Sequence, residues 1–258
     1  MTDLRAAANR IAAVRRSRTP LEALEGAAAP LTEADGYRIQ QAVHGLLADL
    51  LGARMGYKIG CTSQVMQQYL DIPHPCRGGI FSQGIHDSGA VLRAGDFVRV
   101  GVECEIAVRL GRDVQAPFAA QNLASAIDAY LPAIEIVDDR YADWSRLGAP
   151  TLVADDFFAA GCVLGRPVAP SRSRDPGAVE GRAMINGVEA GQGTGADVLG
   201  HPHRALAWLA DHLALDGQQL RAGDIVLTGS LVRTLWLKAG DHAVMELSGL
   251  GMVDVRFA

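Results

Sequence analysis

The chain has 258 residues, of which 49% are apolar and 21% charged, the balance of a globular protein with a sizeable core. Its net charge of −5 excludes the basic footprint that nucleic acid or an anionic membrane surface demands. No apolar run approaches the length of a membrane span.

The first eighty residues read as mainly helical. Residues 3–16 form one helix, with Leu4, Ile11 and Val14 set among alanines. Its arginines (Arg5, Arg10, Arg15, Arg16 and Arg18) imitate a transit peptide, but an ordinary surface helix is the expected reading, and the cytoplasm the expected location. Thr32-Glu33-Ala34-Asp35 has the spacing of a capping box with Asp in place of Glu. It opens a helix whose apolar positions Tyr37, Ile39, Val43, Leu46, Leu47 and Leu50 recur at helical spacing until Gly52.

From about residue 90 strands take over. Arg93-Ala94-Gly95-Asp96, Arg221-Ala222-Gly223-Asp224 and Lys238-Ala239-Gly240-Asp241 each read as a tight turn feeding a strand. Asn186-Gly187 reads as a hairpin turn. Gly191, Gly193, Gly195 and Gly200 lack the βαβ context of a dinucleotide site and read as a loop or turn cluster. One amphipathic helix runs from about Pro202 to Leu215. His201 and His203, two residues apart at its start, are expected to point apart, and Trp144, Trp208 and Trp236 to serve packing. The pattern is α+β: a small N-terminal lobe over residues 1–85 and a larger β-rich domain over residues 86–258. Cys61, Cys76, Cys104 and Cys162 show no C-x-x-C spacing, so four free thiols in a reducing compartment are expected.

Residues 97–110 carry the most chemistry. Every even position from Val98 to Leu110 is apolar, while Glu103 and Glu105 share the odd face with the small residues Gly101 and Ala107. Two adjacent carboxylates repel unless a cation separates them or water surrounds them. A hard divalent ion such as Mg²⁺ or Mn²⁺ answers the first case, a wet sheet face the second. Glu135 lies in the apolar run 131–137, where a carboxylate is costly to bury unless paired, protonated or metal-bound. Lys58, between Gly56 and Gly60, is either a solvated chain or a group for anion binding and proton transfer. Thr228, Gly229 and Ser230 end an apolar strand and offer donors for a carboxylate, or simply a turn.

Five segments in order, GYKIGCTS (56–63), VECEIAVRL (102–110), LPAIEIVDDRYADW (131–144), VLGHPHRALAWLA (198–210) and LRAGDIVLTG (220–229), resemble one group of enzymes. These are the 2-keto-4-pentenoate hydratases, with the related 4-oxalocrotonate decarboxylases, of the fumarylacetoacetate-hydrolase superfamily. The likeness covers nearly the whole chain. It implies a helical and α/β N-terminal lobe, a mixed β-roll catalytic domain and homo-oligomers. It further implies that Glu103, Glu105 and Glu135 match Mg²⁺ or Mn²⁺ ligands and that Lys58 matches an active-site lysine. Glu135 as third ligand favours the hydratase and decarboxylase branch over the C–C bond hydrolases. The implied reaction adds water to a short 2-hydroxy-dienoate, or unsaturated 2-keto acid, through a metal-stabilised enolate. Alternatives are decarboxylation of a 2-keto diacid, C–C hydrolysis of an acylpyruvate, and a metal-binding paralogue without catalysis. Two departures stand out: Cys76 replaces a common aspartate, and Arg77 replaces an aromatic and could recognise a second carboxylate. Asp156 and Phe157 also replace polar and small residues, which reshapes the pocket.

Overall fold

Period-2 alternation and three helical stretches account for most of the architecture. The computed structural model describes residues 3–117 and 120–258. Helices α1 (Leu4–Ser17), α2 (Glu33–Leu46) and α3 (Ala48–Leu51) precede β1 (Arg54–Gly60), α4 (Gln64–Leu70) and β2 (Cys76–Phe81). Short strands β3 (Ile85–Asp87) and β4 (Ala90–Leu92) lead into the long β5 (Val100–Leu110) and β6 (Ile127–Asp138). Then come α5 (Ala149–Ala154), β7 (Ala159–Leu164), β8 (Glu180–Ile185) and β9 (Val188–Thr194). The chain finishes with α6 (Pro202–Leu215), β10 (Ile225–Ser230), β11 (Leu235–Trp236), β12 (His242–Leu247) and β13 (Gly251–Phe257).

Local chemistry sets the boundaries. Thr32 caps α2, its hydroxyl accepting from the Asp35 amide at 3.1 Å, while Asp35 reaches back to the Leu31 amide at 3.4 Å. The expected single helix through Leu50 breaks at Leu47, and Gly52 closes α3 with a φ of +76°. Asn186 and Gly187 both adopt positive φ, as a two-residue hairpin turn needs, and join β8 to β9. Part of the glycine-rich stretch is β9 itself: a Cβ on Gly193 would sit 1.9 Å from the Leu231 carbonyl oxygen. His201 and His203 do not point apart. His201 is the extended N-cap of α6, its ring accepts from the His203 amide, and the two rings meet at 4.6 Å.

Two mixed sheets form. The larger runs β2-β1-β10-β5-β6-β7-β3 with β11 beside β5, and the smaller runs β4-β13-β12-β8-β9. The segment 54–81 therefore contributes two strands to the large sheet, while the helices around it build the N-terminal lobe. The even face of β5 (Val102, Cys104, Ile106, Val108) packs with β6, β12, β13 and α6 in one core. A second core joins α1, α2 and α5. All four cysteines are buried and free. Trp236 is partly exposed and lies under Arg99 at 4.3 Å, more a surface stacking partner than a core residue. Among the described residues, no helix is long and apolar enough to cross a membrane.

Leu213 is fully buried and Leu215 is 80% exposed on the same helix. Leu213→Ala is therefore expected to cost about 2–5 kcal/mol and Leu215→Ala no more than about 0.5 kcal/mol. Urea denaturation checks this, and equal losses would contradict the packing described.

Candidate metal centre and its lysine

Register assembles the glutamates. Glu103 on β5 pairs with Glu135 on β6, and Glu105 lies one step further along the same face. One oxygen from each of the three lies within 4.8 Å of the others. The face is not wet: Glu105 is 0% and Glu135 1% exposed, with Ala107, Ala133 and Leu227 buried around them. Glu105 accepts a hydrogen bond from the Gly229 amide at 2.8 Å, and Glu103 accepts one from the Thr234 hydroxyl. The other oxygen of Glu105 is buried with no hydrogen-bond partner among the described residues.

Such an arrangement opposes its own charge. Burial, then the Glu135 carboxylate, pushes Glu103 up to about 7. Burial, then Glu135 and Glu103, holds Glu105 well above the usual carboxylate range. An orphaned carboxylate oxygen, three mutually repelling acids and an all-oxygen donor set are what a hard divalent cation relieves. The three residues fit such an ion.

Lys58 completes the cluster. It sits on β1 between β10 and β2, paired with Leu227 and Gly78, and is 3% exposed. Its ammonium forms an ion pair with Glu135 at 3.1 Å and donates to the Phe157 carbonyl at 2.6 Å. Burial alone would lower its pKa, but Glu135, Glu103 and Glu105 outweigh burial and hold it above the usual range. The flanking glycines serve this lysine: a Cβ on Gly60 would lie 3.2 Å from Nζ, and one on Gly78 equally close to Cγ.

The Phe157 carbonyl belongs to an unusual turn. Asp156, Phe157 and Phe158 have φ of +59°, +49° and +69°, a conformation that costs non-glycine residues roughly 1–2 kcal/mol each. Charges hold the turn in place. Arg15 binds Asp155 at 2.5 Å and Asp156 at 3.0 Å, and Arg140 binds Asp155 at 3.1 Å. His44 meets both Asp156 oxygens at 2.8 and 2.9 Å, and the Gly79 amide donates to the same carboxylate at 3.0 Å. Burial would raise Asp156, yet His44 and Arg15 hold it below the usual range. Arg15 is thus a buried partner, 7% exposed, and α1 is not the plain surface helix expected of it.

The structure brings Lys58, Glu103, Glu105 and Glu135 together but sends Arg77 elsewhere. Arg77 pairs with Ile59, one residue out of phase with Lys58 and Gly78, so its side chain leaves from the other side of the sheet. There it binds Asp216 and lies 4.6 Å from the Tyr37 ring. Cys76, opposite Gly60, shares the face of Lys58, and burial pushes its thiol up, leaving it a poor nucleophile. Thr228 donates its hydroxyl to the Ile106 carbonyl, and Ser230 donates to Val232, so the direct service of this trio is the Gly229 amide. Thr234, His44, Arg15, Arg140 and Asp155 are the contributors that sequence reasoning missed.

Comparison with known proteins shows the family of the chain. The sequence model of the fumarylacetoacetate (FAA) hydrolase C-terminal family matches residues 79–258, and the chain belongs to that family. It is 34% identical over 232 residues to a 2-hydroxyhexa-2,4-dienoate hydratase of Comamonas testosteroni, covering 88% of this chain and 87% of that protein. It is 38% identical over 208 residues to 2-keto-4-pentenoate hydratase 1 of Dechloromonas aromatica (strain RCB), covering 79% and 78%. Its fold matches the 4-oxalocrotonate decarboxylase of Pseudomonas putida G7, solved with magnesium and adipate, at a TM-score of 0.93 and 25% identity. That match covers 99% of this chain and 97% of the other.

The raised carboxylates make stability depend on pH with a definite sign. The folded chain holds these protons more tightly than the unfolded chain, so their contribution is present at low pH. It is lost as pH rises from the ordinary value near 4.5 through about 7 for Glu103, and the upward shift of Glu105 adds a loss of the same sign. In metal-free protein at about pH 8, Glu105→Gln should raise the thermal midpoint by roughly 2–4 °C, the equivalent of about 1 kcal/mol in a chain of this size. The gain should shrink towards pH 5. A lower midpoint at both pH values would contradict the repulsion described.

Proposed function

We propose that the chain is a divalent-metal-dependent hydratase that adds water to a short 2-hydroxy-2,4-dienoate, giving a 4-hydroxy-2-keto acid. The carrying observation is the glutamate triad, two of its members buried and Glu103 half-buried, with the Lys58 ammonium fixed beside it. The hydratases to which the chain is about a third identical supply the substrate class. Glu103, Glu105 and Glu135 would hold Mg²⁺ or Mn²⁺, as magnesium accompanies the decarboxylase of similar fold. When bound, such an ion supplies Lewis acidity for the charge that develops on the substrate's 2-oxygen.

The chain's own groups do the rest. The Gly229 amide and the Thr234 hydroxyl orient Glu105 and Glu103. Lys58, held at Nζ by Glu135 and the Phe157 carbonyl, gives a proton to C5 of the dienoate and recovers one from the 2-hydroxyl as the enol becomes a ketone. Water then adds to the conjugated alkene, its hydroxyl at C4 and its proton at C3. Cys76 and the Phe157 ring near Lys58 are uncharged, which suits a substrate with a single carboxylate. Arg77, which motivated the diacid alternative, leaves from the opposite side of the sheet. Assembly into homo-oligomers and a cytoplasmic location belong to the same reading.

Metal-loaded protein should consume the ultraviolet absorbance of 2-hydroxypenta-2,4-dienoate without releasing CO₂. EDTA should abolish the activity, and Mg²⁺ or Mn²⁺ restore it. CO₂ from 4-oxalocrotonate with no turnover of the monoacid would instead make the chain a decarboxylase, and silence on both would leave a paralogue without catalysis. Lys58→Ala should lower kcat by about 10²–10⁴-fold, the usual range for losing a general acid or base. Unchanged kcat in that variant would remove the lysine from the reaction.

A further inference from the structure

We infer that Asp156, clamped by His44, Arg15 and the Gly79 amide, is a positioning residue that sets the reach of Lys58 through the Phe157 carbonyl. The inference rests on the reading of Lys58 as the proton carrier, and extends it to residues that touch neither substrate nor metal.

Four observations carry it. Three consecutive residues, none of them glycine, hold a left-handed backbone, and such a turn persists only where its surroundings over-determine it. The determinants sit just upstream of the carbonyl: Asp155 and Asp156 together take bonds from Arg15 on α1, His44 on α2, the Gly79 amide on β2, and Arg140 just beyond β6. The output of the turn is a single polar contact at the site, from the Lys58 ammonium to the Phe157 carbonyl at 2.6 Å. Space allows little else, since the Phe157 ring lies 3.0 Å from where a Cβ on Gly60 would stand and Gly60 borders Nζ.

A chain of opposite charges therefore runs from the N-terminal helices to the lysine. Arg15 and His44 both lie outside the residues that the family model matches. The clamp therefore joins residues of the N-terminal helices to Gly79, Arg140, Asp155 and Asp156, which lie within the matched segment. Shifting Asp156 would rotate the carbonyl, and Lys58 would retain Glu135 alone.

The test uses the second of the chain's two lysines, Lys238, which is exposed and far along the sequence, as an internal reference. The full-length protein is methylated with formaldehyde and a borane reductant, and the labelling ratio of Lys58 to Lys238 is read by peptide mass spectrometry. In the unmodified sequence Lys58 should label far more slowly than Lys238. His44→Ala and Asp156→Ala should each raise the ratio at least about tenfold, the scale of losing a charge-assisted hydrogen bond. They should lower kcat more than they change KM. Asp156→Asn, which keeps an acceptor for the Gly79 amide but loses the charge that Arg15 and His44 meet, should return the ratio only part of the way.

Leu213→Ala serves as a control for general loosening, because it destabilises the core away from the site. If that variant raises the ratio as much as His44→Ala does, or if neither clamp variant moves it, the inference is overturned. Should Asp156→Ala fail to fold, His44→Ala and His44→Gln carry the same comparison. A raised ratio with unchanged kcat would uphold the clamp and remove Lys58 from the chemistry, so the two readings fail separately.

Discussion

Three carboxylates, Glu105 and Glu135 buried and Glu103 half-buried, share one face of a two-strand ladder, and much of the rest of the structure answers that constraint. Water cannot screen Glu105 or Glu135, so repulsion has to be met by the protein or by a cation. The protein answers only in part, with one amide, one hydroxyl and one ammonium. What it leaves open, a buried oxygen of Glu105 without a hydrogen-bond partner among the described residues, is an invitation to a metal ion. The same ladder carries the main core on its opposite face, so the alternation that aims the acids also builds the fold.

Charge alternates outward from that centre in layers. The glutamates hold Lys58, Lys58 meets a carbonyl, and that carbonyl is tethered to Asp155 and Asp156, which are held by two arginines and a histidine. Buried ion pairs of this kind add little net stability compared with well-packed apolar residues, because desolvation opposes their attraction. Their value is placement: they make one geometry of the 155–158 turn far better than its neighbours. The lobe is in this sense part of the site, even though its helices contribute no group to the glutamate cluster.

Much of this was legible in the sequence, for a physical reason. Strand period sets which residues share a face, so Glu103 and Glu105 could be placed side by side without coordinates, and Thr32, Asn186-Gly187 and Pro202 mark element boundaries through local chemistry. Dryness could not be read, because burial of the odd face depends on what the large sheet folds against. Arg15 could not be paired, since its partner lies 140 residues away. Arg77 drew notice as a departure from the family pattern, and only the pairing register shows that its side chain lies on the other side of the sheet from Lys58. Thr234 follows an irregularity in the β10–β5 pairing, where alternation ceases to predict direction.

The most direct measurement is the stoichiometry of Mn²⁺ binding by equilibrium dialysis, comparing the chain with its Glu135→Gln and Glu105→Gln variants. One ion bound per chain, with affinity falling at least about tenfold in either variant, is the expected result, since each variant removes a charged ligand. No binding, or binding that both variants leave intact, would contradict the central claim that the glutamate triad exists to hold a divalent cation.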